Sequence, residues 1–156
     1  MHNRSIEFFV IDILISCNAI FRHMAKVPDA SEFVADELVF SAVTRECEII
    51  GEATNNVLKS NNFKHLINTQ WRKVVDFRNV ISHEYFGLNY EDIFEIIATD
   101  LPIFNQEILH VAHTIKDSEN FRLALSGAQN DLKKIGRKQS LQYLNILEHD
   151  LYGNQF

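Results

Sequence analysis

The stretch "SIEFFVIDILISCNAIFRHM", residues 5–24, is strongly apolar, and a membrane span, a targeting peptide and an amphipathic helix compete for it. A span needs about 20 uninterrupted apolar residues, and Glu7 and Asp12 interrupt this one. No small-residue cleavage site follows it, as a secretory signal would require. Instead Ile6, Phe9, Val10, Ile13, Leu14, Cys17, Ile20 and Phe21 recur every three or four residues, which lays them on one broad helical face. The segment predicts a helix over about residues 5–24 with a wide buried side.

The same period governs the rest of the chain. Five glycines and two prolines punctuate 156 residues, and no stretch alternates apolar and polar residues over strand length. Pro28 in "KVPDASEF" closes the first helix, with Asp29 or Ser31 as cap for a short turn. A second long helix is expected from about Asp36 to Lys59, carrying Leu38, Ala42, Ile49, Ile50, Ala53 and Val57. After the connector "SNNFKHLINT" a third begins near Asn68 or Thr69 and runs through Trp71, Val74, Val75 and Phe77 toward His83. Gly87 supplies a turn, Asn89 caps a fourth helix through Phe104, and Pro102 is expected to kink it. Two further helices, about 118–135 and 139–151, flank Gly136. Their apolar stripe is Leu123, Leu125, Leu132, Ile135, Leu141, Leu144 and Leu147. The fold expected is an all-α, up-and-down helical bundle with a C-terminal helical extension.

Composition fits one globular domain, with 46% hydrophobic and 23% charged residues. A net charge of −6 argues against a broad nucleic-acid-binding face. The charge is uneven: residues 1–110 hold nine basic against sixteen acidic side chains, and residues 111–156 six against five. Lys133, Lys134, Arg137 and Lys138 form a basic cluster, readable as a solvated helix face or as a contact to an RNA backbone. Cys17 and Cys47 fall within apolar helical patterns, as buried thiols of a reduced, cytoplasmic protein would.

"DFRNVISHEYFGLNYEDIF", residues 76–94, breaks the amphipathic pattern with Arg78, Asn79, His83, Glu84 and Tyr85. On an ideal helix Arg78 and His83 stand roughly 140° apart, so they converge if the helix ends or distorts near Ser82–His83, or if the long arginine side chain curls along the surface. A guanidinium can hold a phosphate by paired hydrogen bonds, and an imidazole can take a proton from a ribose 2′-hydroxyl or return one to a leaving oxygen. Tyr85 could position a substrate or stack on a base. A capped, solvated helix end is the competing reading of the same residues.

At these positions the chain resembles the HEPN superfamily, and within it the HepT-like toxins. The family signature of Arg, four residues, His, any residue, Tyr is met by Arg78, His83 and Tyr85 in "RNVISHEY". "FGLNYEDIF" resembles its continuation, "ECEIIGEATNNV" (46–57) its second-helix segment and "WRKVVDFRN" its lead-in. The likeness covers roughly residues 5–110. It implies a HEPN-type bundle over residues 1–115, with residues 116–156 as an extension packed on the same domain. It also implies a homodimer whose cleft is lined by the signature residues of both chains. The activity implied is metal-independent, cofactor-free endoribonuclease cleavage of RNA such as tRNA or mRNA, with Arg78 and His83 catalytic and Asn79 assisting. The partner implied is a minimal nucleotidyltransferase antitoxin of a type VII-like toxin–antitoxin module, which transfers AMP to Tyr85. The alternative is a non-catalytic HEPN nucleotide- or protein-binding module that serves as the partner and substrate of a nucleotidyltransferase.

Other candidates are weaker. Tyr90 could add a second aromatic contact. Glu107, His110 and His113 share a helix face at metal-ligand spacing, but nothing nearby completes a coordination sphere, so no metal site is expected. Glu48 and Glu52, one turn apart, read as a polar edge near Arg45 or as carboxylates that orient Arg78.

Overall fold

The computed structural model describes residues 4–83, 87 and 89–153, and its elements there are all helical. They are α1 (Ile6–Met24), α2 (Ala30–Ala35), α3 (Glu37–Leu58), α4 (Arg72–His83), α5 (Tyr90–Glu95), α6 (Leu101–Ile115), α7 (Glu119–Ile135) and α8 (Lys138–Tyr152). A 3-10 turn, Thr69–Trp71, leads into α4, and a π-helical segment, Ile96–Asp100, joins α5 to α6.

Helix α1 is the strut of the bundle. It packs on α3, α6, α7 and α8, and Val10, Ile11, Ile13, Leu14, Cys17 and Ile20 are fully buried. Each such side chain contributes about 1.5–3 kcal/mol through loss of apolar contact with water. Burial on several sides explains why this helix is the most apolar. The caps follow the expected chemistry: Asp29 accepts from the Glu32 amide, Asp36 from Val39, Asn89 from Glu91 and Asp92, and Ser118 from Phe121. Asn68 caps the 3-10 turn by accepting from the Gln70 amide. Gly136 ends α7 at φ 76°, the left-handed region that side chains resist.

Some details depart from the sequence reading. Leu38 is 80% exposed on the first turn of α3, outside the core stripe assigned to it. Leu123 and Ile135 are 61% and 64% exposed, so the stripe that seats α7 consists of Phe121, Ala124, Leu125, Ala128 and Leu132. At Pro102 the rod adjusts by a wider turn: the Leu101 amide donates to the Ile96 carbonyl, five residues back, which accommodates a ring nitrogen that has no proton to give.

Helices α7 and α8 pack on each other and on α1. Arg22 on α1 donates to Gln139 at 2.8 Å and to Ser140 at 3.3 Å, and Lys116 donates to the Leu151 carbonyl at 2.7 Å. The Tyr152 hydroxyl closes the far end by donating to the Lys116 carbonyl at 2.6 Å.

Burial pushes the Cys47 thiol up to about 12 and raises the Cys17 thiol as well. Against an ordinary cysteine, the Cys47 thiolate fraction at pH 8 falls about 10³-fold. Iodoacetamide is therefore expected to leave both thiols unmodified in the folded protein and to label both in urea; mass spectrometry of the native adduct reads the result. Prompt native labelling would show that this core is not closed.

Candidate functional site

The signature residues ride on α4, and α3 decides how they are presented. Arg78 lies directly over Gly51: a Cβ placed there would fall 2.5 Å from the Arg78 Cγ and 3.5 Å from its Cα. Only a residue without a side chain permits that approach. One turn along, the Ser82 hydroxyl donates to Glu48 at 3.3 Å, so α4 runs antiparallel to α3.

The Arg78 head is held on two sides. Nη1 donates to Asn79 Oδ1 at 3.0 Å, and Nη2 pairs with Glu52 at 3.4 Å. Its Nε is buried without an acceptor, which costs about 1–3 kcal/mol. The pair with Glu52 leaves the two side chains 34% and 58% exposed, and ion pairs so open to water are worth about 0–1 kcal/mol. Another anion can replace Glu52 at little cost.

Around Arg78 opens a cleft of about 350 Å³, lined among others by Arg4, Asp12, Arg45, Glu48 and Glu52. Its cations are matched one to one: Arg4 to Asp12 at 2.9 Å, Arg45 to Glu48 at 3.2 Å, Arg78 to Glu52. Burial holds the Asp12 carboxyl above its usual range, against the opposing pull of Arg4. Both readings of the α3 carboxylates therefore apply, Glu48 beside Arg45 and Glu52 on Arg78.

His83 is exposed and is the last residue of α4. The chain is helical to that point, so the backbone positions of Arg78 and His83 stand roughly 140° apart around the axis of α4. Tyr85 lies outside the described residues. Tyr90 packs edge-on against Phe40 at 5.6 Å. Phe40 is eleven residues before Gly51 on α3, about 16 Å along the helix, so the arrangement places Tyr90 away from Arg78. Glu107 accepts hydrogen bonds from Trp71 Nε1 and Asn68 Nδ2, fastening α6 to the start of α4, while His110 and His113 are exposed. On that side of α4 a separate, mainly apolar groove of about 430 Å³ lies against Trp71, Val74, Phe77 and Ile103.

Sequence reasoning missed Gly51, Arg4 and Asp12. Gly51 left a signal, a lone glycine inside a helical run, where close backbone approach is the usual reason. Arg4 and Asp12 left none, since only tertiary packing brings them to α3.

The family described as Ribonuclease HepT-like matches residues 13–111. "Putative RNase MJ1380" of Methanocaldococcus jannaschii is 33% identical over 109 residues, 69% of this chain and 97% of that protein. "Probable ribonuclease HepT" of Thermococcus cleftensis is 35% identical over 72 residues, 46% of this chain and 64% of that protein. "Gamma-glutamylcyclotransferase and putative RNase MJ0434" of M. jannaschii is 23% identical over 156 residues, 96% of this chain and 67% of that protein. No solved structure matches. The chain belongs to the HepT-like ribonuclease family, and its all-helical bundle is of the HEPN type.

Gly51→Ala forces a methyl group into Arg78. Overpacking of this kind costs about 1–3 kcal/mol, more than the roughly 1 kcal/mol that alanine gains over glycine inside a helix, and the expected outcome is a destabilised protein in urea melts. Wild-type stability in Gly51→Ala would show that α3 and α4 do not meet there.

Proposed function

We propose that this member of the HepT-like ribonuclease family is a metal-independent endoribonuclease in which Arg78 binds the scissile phosphate and His83 moves the proton. The observation that carries the reading is the Arg78 guanidinium, partly exposed, oriented by Asn79 and held by a carboxylate weak enough to exchange for phosphate. In the step envisaged, the ribose 2′-oxygen attacks the adjacent phosphorus and the bond to the 5′-oxygen breaks. The 2′-hydroxyl proton goes to a base, a proton is delivered to the departing 5′-oxygen, and the products are a 2′,3′-cyclic phosphate and a 5′-hydroxyl. Arg78 offsets the charge that gathers on the phosphoryl oxygens. His83, exposed at the helix end, is the group for proton transfer.

The divergence of Arg78 and His83 supports a two-fold homodimer, because one chain's arginine can then meet its partner's histidine in a shared cleft. Tyr85, two residues beyond His83, is the residue we assign to AMP transfer by a minimal nucleotidyltransferase antitoxin in the cytoplasm. Bulk and negative charge added there would compete with RNA phosphate for Arg78. One observation favours a second reading, a non-catalytic binding module: each cleft arginine already has a carboxylate partner.

Purified protein free of AMP by mass is expected to cut total RNA and tRNA in EDTA, and His83→Ala and Arg78→Ala are each expected to lose about 10²-fold or more in rate. No cutting by folded wild type would decide for the binding module. If the site is shared between chains, refolding the two inactive variants together restores one intact Arg78–His83 pair per mixed dimer, and cleavage returns. Mixed dimers as inactive as their parents would put both residues in one chain's site.

A further inference from the structure

The family match ends at residue 111, before α7 and α8. The turn between these helices gathers Lys133, Lys134, Arg137 and Lys138 within six positions, all exposed. Residues 132–147 contain no Asp or Glu. Elsewhere the chain matches its arginines: Arg4, Arg45, Arg72, Arg78 and Arg122 pair with carboxylates, and Arg22 with amide and hydroxyl groups. Among the described residues Arg137 is the arginine whose side chain has no partner, and the three lysines have none either.

Fold stability does not account for the cluster. Lys133 and Lys134 suit the negative C-terminal end of α7, but Arg137 and Lys138 stand at the start of α8, where a helix favours acidic residues. No acidic residue lies in that first turn and no side chain caps it. The four cations also leave Ile135 64% exposed among them. Four unmatched cations within six positions, with no carboxylate between residues 132 and 147, make this elbow the most basic stretch of an otherwise acidic chain.

We propose that this α7–α8 elbow is a second contact for the RNA backbone, holding the substrate outside the cleft while Arg78 engages the scissile phosphate. The inference rests on the ribonuclease reading of Arg78. Helix α1 connects the two places: Asp12 lines the cleft and Arg22 grips the start of α8. Those residues are ten apart, about 15 Å along the helix and about a quarter turn around it. At about 3.4 Å per stacked nucleotide, four to five nucleotides bridge that rise. The cleft has no net charge, so the elbow supplies the attraction that the cleft cannot.

The test is binding of a 2′-O-methyl RNA, which presents the same phosphates and cannot be cut through its 2′-oxygen, across a salt series. The variant replaces Lys133, Lys134, Arg137 and Lys138 together by Gln, and a second variant exchanges Lys for Arg and Arg for Lys at the same positions. Each single-strand phosphate contact adds about 0.7 to the slope of log affinity against log salt. The Gln variant is expected to lose about 1.4–2.8 of slope, two to four contacts, and at least about tenfold in affinity at low salt. The Lys/Arg exchange should keep both values, and circular-dichroism melts should stay with wild type. On cleavable substrates the Gln variant should raise KM for long RNA and leave a dinucleotide unaffected, which general loss of folding would not do.

Wild-type slope and affinity in the Gln variant, with wild type binding and cutting RNA, would overturn the elbow contact and leave the ribonuclease reading intact. An unchanged slope together with lost binding to vesicles of equal phosphatidylcholine and phosphatidylserine would overturn it in favour of a membrane surface. Wild type that neither binds nor cuts RNA would remove both readings together.

Discussion

The bundle turns on a missing Cβ. Because Gly51 has none, α4 settles close against α3 with Arg78 at the point of nearest approach. A residue with a side chain would lift α4 away and change the angle at which every signature residue leaves it. The contact also buries the Arg78 Nε without an acceptor, so the closest helix crossing near the cleft holds an unsatisfied polar atom. The aliphatic stem of the arginine is used for packing while its head stays at the edge of the cleft. Asn79 and Glu52 restrain that head from two sides, and the chain thereby fixes a cation whose rotamer freedom would otherwise be lost on meeting an anion.

Helix α1 relates the family core to the tail. A helix that faced only α3 and α6 would bury one stripe and leave the rest polar. This one is apolar over more of its surface, and the extra surface is covered by α7 and α8. Phe8 lies 3.1 Å from the position a Cβ would take on Gly127, so α7 also approaches through a glycine. Arg22 then sets α8 by its bonds to Gln139 and Ser140. The helix that lines one side of the cleft thus also seats the helices that follow residue 111.

The helices were legible because their signals are local. Apolar spacing, an Asp or Asn or Ser before most runs, and Gly136 after α7 depend on residues within one or two turns. Leu38, Leu123 and Ile135 misled because periodicity marks which residues are apolar, whereas burial depends on whether a neighbouring helix reaches that turn. Pro102 was visible as a disturbance, but the π turn that takes it up, with Ile97 and Phe104 buried on either side, was not. Along α4, Arg78, Asn79 and His83 stood out as polar residues among apolar ones, and of these Arg78 lines the cleft. The matching of each arginine to a carboxylate was not readable, since Arg4–Asp12 and Glu52–Arg78 join residues that only packing brings together.

The charge balance of the cleft bears on how RNA could be held. A polyanion approaching a protein of net charge −6 meets repulsion at a distance, and a neutral cleft does little to reverse it. Within the cleft the balance changes with contact: a phosphate that displaces Glu52 from Arg78 exchanges one partly exposed anion for another, and the displaced carboxylate returns to water. The exchange is close to neutral in energy, so affinity has to come from charges that begin unmatched. On the cleft side each arginine is already engaged, whereas at the α7–α8 turn none of the four cations is. Separating the two roles, a matched arginine where chemistry would occur and unmatched cations where attraction is needed, would keep Arg78 oriented before substrate arrives and still draw the strand toward it.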